Sequence, residues 1–358
     1  MLIRLGLVGN YGDVGELRAL VEYVLELGAS VEEVVTAARL EALGPLALDY
    51  SVRPAGPSLP LDDFAVATGL DPAFGHRLWL ALGLPEHPPV PFPVTPDLGE
   101  ALGVLALLVG PFGEDAVLGF ARTIGSAAER IADALASATR VGVEVPERGG
   151  GKPYGEVVRE YSELARELLP TLWDAIGAVF RRHLVLVSYE GFDVANSEHA
   201  VTLQRAIGFI DLVGSTEVLR TQSVPEMAAS VNRFERMVGD RVTTAGGRVV
   251  KLIGDEAMFA FGDLHDACIT ALELIDESPS PVRVGLAFGD VVAMHGDYFG
   301  PTVNLAARLV SVAKPSILVA STEARDILQD RFRFDAMSTG PLRGFPEVTT
   351  AFIVQRST

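Results

Sequence analysis

The 358-residue sequence has little cysteine, little positive charge and no long apolar run. With one cysteine, Cys268, it can form no intramolecular disulfide and no thiolate zinc cage. Its 29 basic residues face 47 acidic ones, a net charge of −18, and a chain this acidic repels a phosphate backbone, which argues against a general nucleic-acid binder. The longest apolar stretch, Ala101 to Gly113, is too short to span a bilayer and is closed by Glu114 and Asp115. The opening MLIRLGLVGNYGD lacks the long apolar core of a secretory leader, so the expectation is a soluble, cytoplasmic protein with no transmembrane segment. Hydrophobic residues at 49% are enough for full-sized cores, and the length suits two or three domains.

The charge divides unevenly. Residues 201–358 carry 15 basic and 19 acidic side chains, net −4, which leaves −14 for residues 1–200. That shift supports a domain boundary. The first part reads as all-α. Leu17, Leu20, Val21, Val24 and Leu25 share one helical face, and Ser30 is a candidate N-cap. Helical patterns recur around 97–110, 114–139 and 153–182, with Pro170 expected to kink or break the last. Residues 61–85 have a helix-turn-helix rhythm, but one Arg against three Asp favours two packed helices over a DNA reader. A polar linker is expected at 189–202.

The second part alternates strands with helices, an α+β pattern with the helices expected on one face of a sheet. A strand ends at Asp211, and a helix is expected from Ser215 to about Thr244. Two strands follow, joined by a tight turn at Gly254-Asp255, and then a β pair, Val282–Gly289 and Asp290–Met294. If the strands pair, Asp211 and Asp255 emerge at one end of the sheet, where hard oxygen ligands suit Mg²⁺ or Mn²⁺ with substrate phosphates. The segment after Asp211 would open a helix whose free N–H groups can hold phosphate oxygens. Taken singly, each Asp motif is more often a structural turn. Asn304 and Arg308, four apart on an apolar helix, share one face.

Three motifs occur together in order: Phe209-Ile-Asp211-Leu-Val-Gly-Ser, Lys251-Leu-Ile-Gly-Asp255, and Asp297 followed by Asn304 and Arg308. Residues 203–358 thereby resemble the catalytic domain of the class III nucleotidyl cyclases. The resemblance implies a ferredoxin-like catalytic domain behind an all-α regulatory domain at 1–188. It implies adenylate cyclase activity, with two divalent cations (Mg²⁺ or Mn²⁺) on Asp211 and Asp255, and adenine read by Lys251 and Asp297. Family members that use GTP replace those two residues, and here neither is replaced. Asn304 would orient the ribose, Arg308 would stabilise charge at the α-phosphate, and Arg343 would contact the outer phosphates. It also implies a homodimer with composite sites, because Lys251 and Asp255 are four residues apart yet serve opposite ends of a nucleotide. The rival from another class is an inactive cyclase-like binding or dimerisation module; all six key positions are filled, which argues against it. Gly254-Asp255-Glu256 lacks the flanking Gly and Phe of a diguanylate cyclase.

The layout is similar to mycobacterial-type cyclases with an autoinhibitory N-terminal domain, some of them activated at mildly acidic pH. His183 and His199, flanking the linker, are the candidate pH-sensing residues, with a solvated, inert role as the alternative. Ala101–Val109 with Leu172, Trp173, Val179 and Phe180 could line a pocket for a lipid ligand, against the plainer reading of ordinary core. Cys268 is expected to be an ordinary buried helix residue.

Overall fold

A computed structural model describes residues 14–86, 93–189, 201–214, 223–342 and 345–357. The chain divides into two compact units, Met1–Leu186 and Val187–Thr358.

The first unit is helical: α1 (Val14–Glu26), α2 (Val31–Arg39), α3 (Leu43–Val52), α4 (Leu61–Thr68), α5 (Pro72–Ala81), α6 (Pro96–Leu107), α7 (Val109–Phe112), α8 (Glu114–Thr139), α9 (Val145–Gly149) and α10 (Tyr154–Tyr189). Ser30 caps α2 as expected, in a capping box. Its hydroxyl accepts from the Glu33 N–H at 3.2 Å, and the Glu33 carboxylate accepts from the Ser30 N–H at 2.9 Å. The unit has two separate cores. One gathers Leu17, Leu20, Val24, Val34, Leu43 and Val158, so the start of α10 closes on α1–α3. The other gathers Phe74, Leu78, Trp79, Leu102, Val117 and Leu118, which accounts for the helix-turn-helix rhythm as the packing of α4 and α5 against α6 and α8. Gly125 lets α8 meet backbone: a Cβ there would lie 2.4 Å from the Leu82 carbonyl oxygen. Beyond it, residues 126–138 are all exposed.

Pro170 does not break α10, which continues from Tyr154 to Tyr189. Pro170 is exposed, and so is Arg166, whose carbonyl loses a helical donor and is left to water. The lipid-pocket grouping does not form. Leu102 and Leu105 are buried in the second core, whereas Trp173, Val179 and Phe180 lie on the exposed surface of α10, 57%, 58% and 56% accessible. Those three are not ordinary core either.

The second unit is built on β1 (Val201–Leu212), β2 (Arg248–Ile253), β3 (Glu256–Phe261), β4 (Val282–Met294), β5 (Asp297–Phe299), β6 (Leu318–Ala320), β7 (Phe332–Leu342) and β8 (Phe345–Arg356), with α11 (Val224–Thr244), α12 (Leu264–Glu277), α13 (Pro301–Val312) and α14 (Thr322–Leu328). The sheet order is β2-β3-β1-β4-β6-β8-β7, with β5 hydrogen-bonded to β4. β1 is antiparallel to both β3 and β4. Alternation along β1 sorts its side chains. Ala206 and Ile210 join Phe234 and Val238 of α11, Cys268 and Leu274 of α12 and Leu328 of α14, while Ile207 and Phe209 join Leu309 and Val310 of α13. Helices therefore cover both faces, correcting the one-face expectation. Gly285 makes the second layer possible, since a Cβ there would lie 2.2 Å from the Val310 nitrogen.

Boundaries moved in three places. α11 is described from Val224, behind Ser223, whose hydroxyl and N–H both bond Glu226. The expected start at Ser215 lies outside the described residues, as does most of the expected linker, and β1 already begins at Val201. The expected β pair at 282–294 is one strand, β4. Its reversal falls at His295-Gly296, both at positive φ (53° and 79°), the backbone that a two-residue type I′ hairpin needs.

Candidate active site

Asp211 is next to last in β1 and 9% exposed. Register places it opposite Glu256 of β3 on one side and Arg283 of β4 on the other. Arg283 donates to Asp211 Oδ2 through Nε at 2.6 Å and lies 2.5 Å from it through Nη2. The hairpin turn brings in the second carboxylate. Ile253 pairs with Glu256, which leaves Gly254-Asp255 as a two-residue loop with Gly254 at φ 65°, and the Leu212 N–H donates to the Asp255 carbonyl at 3.1 Å.

Asp211, Asp255 and Glu256 share one electrostatic environment. Burial first, then the negative charges of Asp211 and Asp255, raise the Glu256 carboxyl above the ordinary carboxylate range, and Arg283 offsets part of this. Asp211, whose carboxylate already draws a guanidinium, offers a hard oxygen ligand of the kind a divalent cation takes, although the carboxylate oxygens of Asp211, Asp255 and Glu256 do not all lie within 4.8 Å of one another. Glu256 and Arg283 were not singled out from the sequence. Their involvement depends on cross-strand register, although the Asp255-Glu256 pair was a visible signal.

The second grouping is Lys251 with Asp297. They lie 46 positions apart, on β2 and at the start of β5, yet Lys251 Nζ donates to Asp297 Oδ2 at 2.6 Å. Asp297 Oδ1 accepts from the Tyr298 N–H at 2.8 Å, which fixes the carboxylate. Both side chains remain partly accessible. The pair offers an ammonium donor beside a carboxylate acceptor.

The third grouping is on α13. Its apolar face, Ala306, Leu309 and Val310, is buried, while Asn304 and Arg308 are exposed one turn apart. Pro301 opens the helix, and the Asn304 N–H donates to the Gly300 carbonyl at 3.2 Å.

Arg343, His199 and Ser215, where a phosphate-holding helix start was expected, lie outside the described residues. His183 is exposed on α10. Two described histidines lie between carboxylates: His76, 2.9 Å from Asp62 and 3.9 Å from Glu86, and His265, 3.6 Å from Asp266 and grouped with Asp263. Cys268 is buried in α12, and burial pushes its thiol up to about 12, which removes it as a nucleophile. Among the described residues no helix is long and apolar enough to cross a membrane.

Residues 198–355 match the family described as the adenylate and guanylate cyclase catalytic domain. An uncharacterized protein of Mycobacterium tuberculosis is 33% identical over 355 residues, covering 94% of this chain and 90% of that one. The adenylate cyclase of Streptomyces coelicolor is 34% identical over 276 residues, covering 75% of this chain and 71% of that one. A crystal structure of the adenylyl cyclase CyaB from P. aeruginosa covers 44% of this chain and 96% of its own at a TM-score of 0.40 and 20% identity. By its likeness to the first two relatives, which extends over both halves of the sequence, the chain belongs to the class III adenylate and guanylate cyclases.

Proposed function

We propose that the protein is an adenylate cyclase, converting ATP to 3′,5′-cyclic AMP and pyrophosphate in the cytoplasm. The observation that carries this reading is the Lys251–Asp297 pair at 2.6 Å. Opened by a base, it presents a donor to a ring-nitrogen acceptor of adenine and an acceptor to the exocyclic amino group. Guanine carries a carbonyl and a ring N–H at those places and mismatches both. The Streptomyces coelicolor relative, named an adenylate cyclase, supports the same choice.

Two divalent cations, Mg²⁺ or Mn²⁺, held by Asp211 and Asp255, would supply acidification of the ribose 3′-hydroxyl and neutralisation of the triphosphate. Asn304 orients the ribose so that its 3′-oxygen lies in line with the α-phosphorus. The bond from that oxygen to phosphorus forms as the bond to the bridging β-phosphate oxygen breaks, and the hydroxyl proton passes to solvent. Arg308, exposed on α13, sets a fixed positive charge beside the α-phosphate, where transition-state charge concentrates. Arg343 contacts the outer phosphates. The exposed placement of Asn304 and Arg308 suits groups that serve a nucleotide held by a second subunit, so the working unit is a homodimer with composite sites. Residues 1–188 regulate the catalytic residues 203–358 through the linker 189–202.

The test is release of pyrophosphate and cyclic AMP from ATP with Mn²⁺. Activity lost in Asp211→Ala supports the reading; no product from the folded full chain at any pH overturns it. Control by the helical unit is tested by the pH–activity profiles of the full chain and of residues 200–358, and coincident profiles remove the pH role.

A further inference from the structure

We propose that Arg283 is an internal counter-cation for Asp211, holding that carboxylate while no metal is bound and competing with a divalent cation for it. This rests on the reading of Asp211 as a metal ligand. The geometry is built into the sheet rather than supplied by a loop. Asp211 and Arg283 are directly opposed on the two central strands, where the antiparallel ladder fixes their separation. Two guanidinium nitrogens, Nε at 2.6 Å and Nη2 at 2.5 Å, converge on one oxygen, Asp211 Oδ2. The third, Nη1, reaches the Ser311 carbonyl at 3.5 Å, at the end of α13.

The charge balance explains why such a group is there. Asp211 is largely buried, and it meets Glu256 across the other strand with Asp255 at the adjoining turn. Three carboxylates without a cation would repel one another in a partly desolvated place, and Arg283 offsets that repulsion. A divalent cation arriving at Asp211 makes the same offset redundant, and its positive charge is repelled by the guanidinium already present. The site therefore takes up a free cation weakly, and more strongly when the cation arrives with an anionic ligand.

The experiment is calorimetric titration of Mn²⁺ into the full chain without nucleotide. Arg283→Gln removes the charge and is expected to bind Mn²⁺ roughly tenfold more tightly than the unaltered protein, the size of effect that one adjacent charge exerts on a charged site. Arg283→Lys keeps the charge and is expected to stay near the unaltered affinity. Arg283→Met, which keeps the apolar stem, replaces Arg283→Gln if that variant does not fold. Unchanged or weaker binding on loss of the charge overturns the proposal, because a residue that only orients Asp211 would weaken binding when removed. Equal tightening in Arg283→Lys also overturns it. The two readings are separated by Asp211→Asn: if Mn²⁺ binding survives it, the assignment of Asp211 as a ligand fails. If Asp211→Asn abolishes binding while Arg283→Gln does not tighten it, only the counter-cation role fails.

Discussion

The two units bury their apolar residues in opposite ways. In the second, both faces of the sheet are covered, and Ile207, Ile210, Met258, Phe259, Leu286 and Leu309 are fully buried. In the first, two small cores are strung along long helices that leave Ile131, Leu135, Val141, Trp173 and Phe180 accessible. The candidate site residues stand at the margins of the second unit: strand register sets Asp211 and brings Lys251 to Asp297, and α13, anchored by its buried face, presents Asn304 and Arg308. The helical unit is closely packed at Gly44, where a Cβ would lie 2.5 Å from the Tyr154 hydroxyl, and at Gly125. Its described charge clusters, such as Lys152 between Glu147 and Glu160, join helix ends and turns at the surface rather than strands of a sheet. A rigid sheet can hold charges to a fraction of an ångström, whereas long half-covered helices suit movement or contact.

The predictions test that contrast, starting with the largest effect. Asp211→Asn should lower cyclase activity by about 10³-fold or more, measured as cyclic AMP formed from ATP, with the thermal midpoint of the helical unit unchanged. Arg308→Ala should cost about 10²- to 10³-fold. Mixing it with Asp255→Ala should restore part of the activity by assembling one intact composite site, and a mixture no better than its parts rejects shared sites. Lys251→Ala should erase the preference for ATP over GTP, a change of roughly 10- to 10²-fold in the ratio of kcat/KM, because the remaining carboxylate loses its partner.

Two glycine substitutions sharpen the contrast directly. Gly125→Ala puts a Cβ 2.4 Å from the Leu82 carbonyl oxygen in the helical unit, and Gly285→Ala puts one 2.2 Å from the Val310 nitrogen in the catalytic unit. Each should cost about 1–3 kcal/mol, and calorimetry should show the first lowering the helical transition and the second the catalytic one. Equal shifts in both transitions would mean the units do not melt independently.

The smallest effect concerns Glu256. Its raised pKa means the folded chain holds a proton that the unfolded chain has released, so stability falls as pH rises from the ordinary carboxylate range through the folded value. Glu256→Gln should therefore stabilise the fold at neutral pH by less than about 1 kcal/mol at this partly accessible position, read as a raised thermal midpoint. The gain should vanish as pH falls below the ordinary carboxylate range. A gain that persists in acid would mean the effect is not electrostatic.

Much of this was legible in the residues. Gly254-Asp255 between two β-rich runs names its own turn, and the apolar spacing around Asn304 and Arg308 names the helix that exposes them. Motif order carried the family. Pairings across strands were not legible: nothing local to Val282-Arg283-Val284 says that Arg283 faces Asp211, because that follows from a register set 72 positions away. That Pro170 would not break α10 was not legible, because exposure of the freed carbonyl decides it, and exposure is a tertiary property. The same holds for Trp173, Val179 and Phe180, whose apolar character reads as core until the helix is seen uncovered.

The two hairpins that carry Asp255 and Asp297 reverse in two residues each, Gly254-Asp255 and His295-Gly296. A reversal that short has no slack. Adding a single amino acid to either would slip the pairing and turn alternate side chains of a strand from the inside of the protein to the outside. On the proposed reading of Asp255 and Asp297, loop length is here as tightly bound to activity as the identity of the acids themselves.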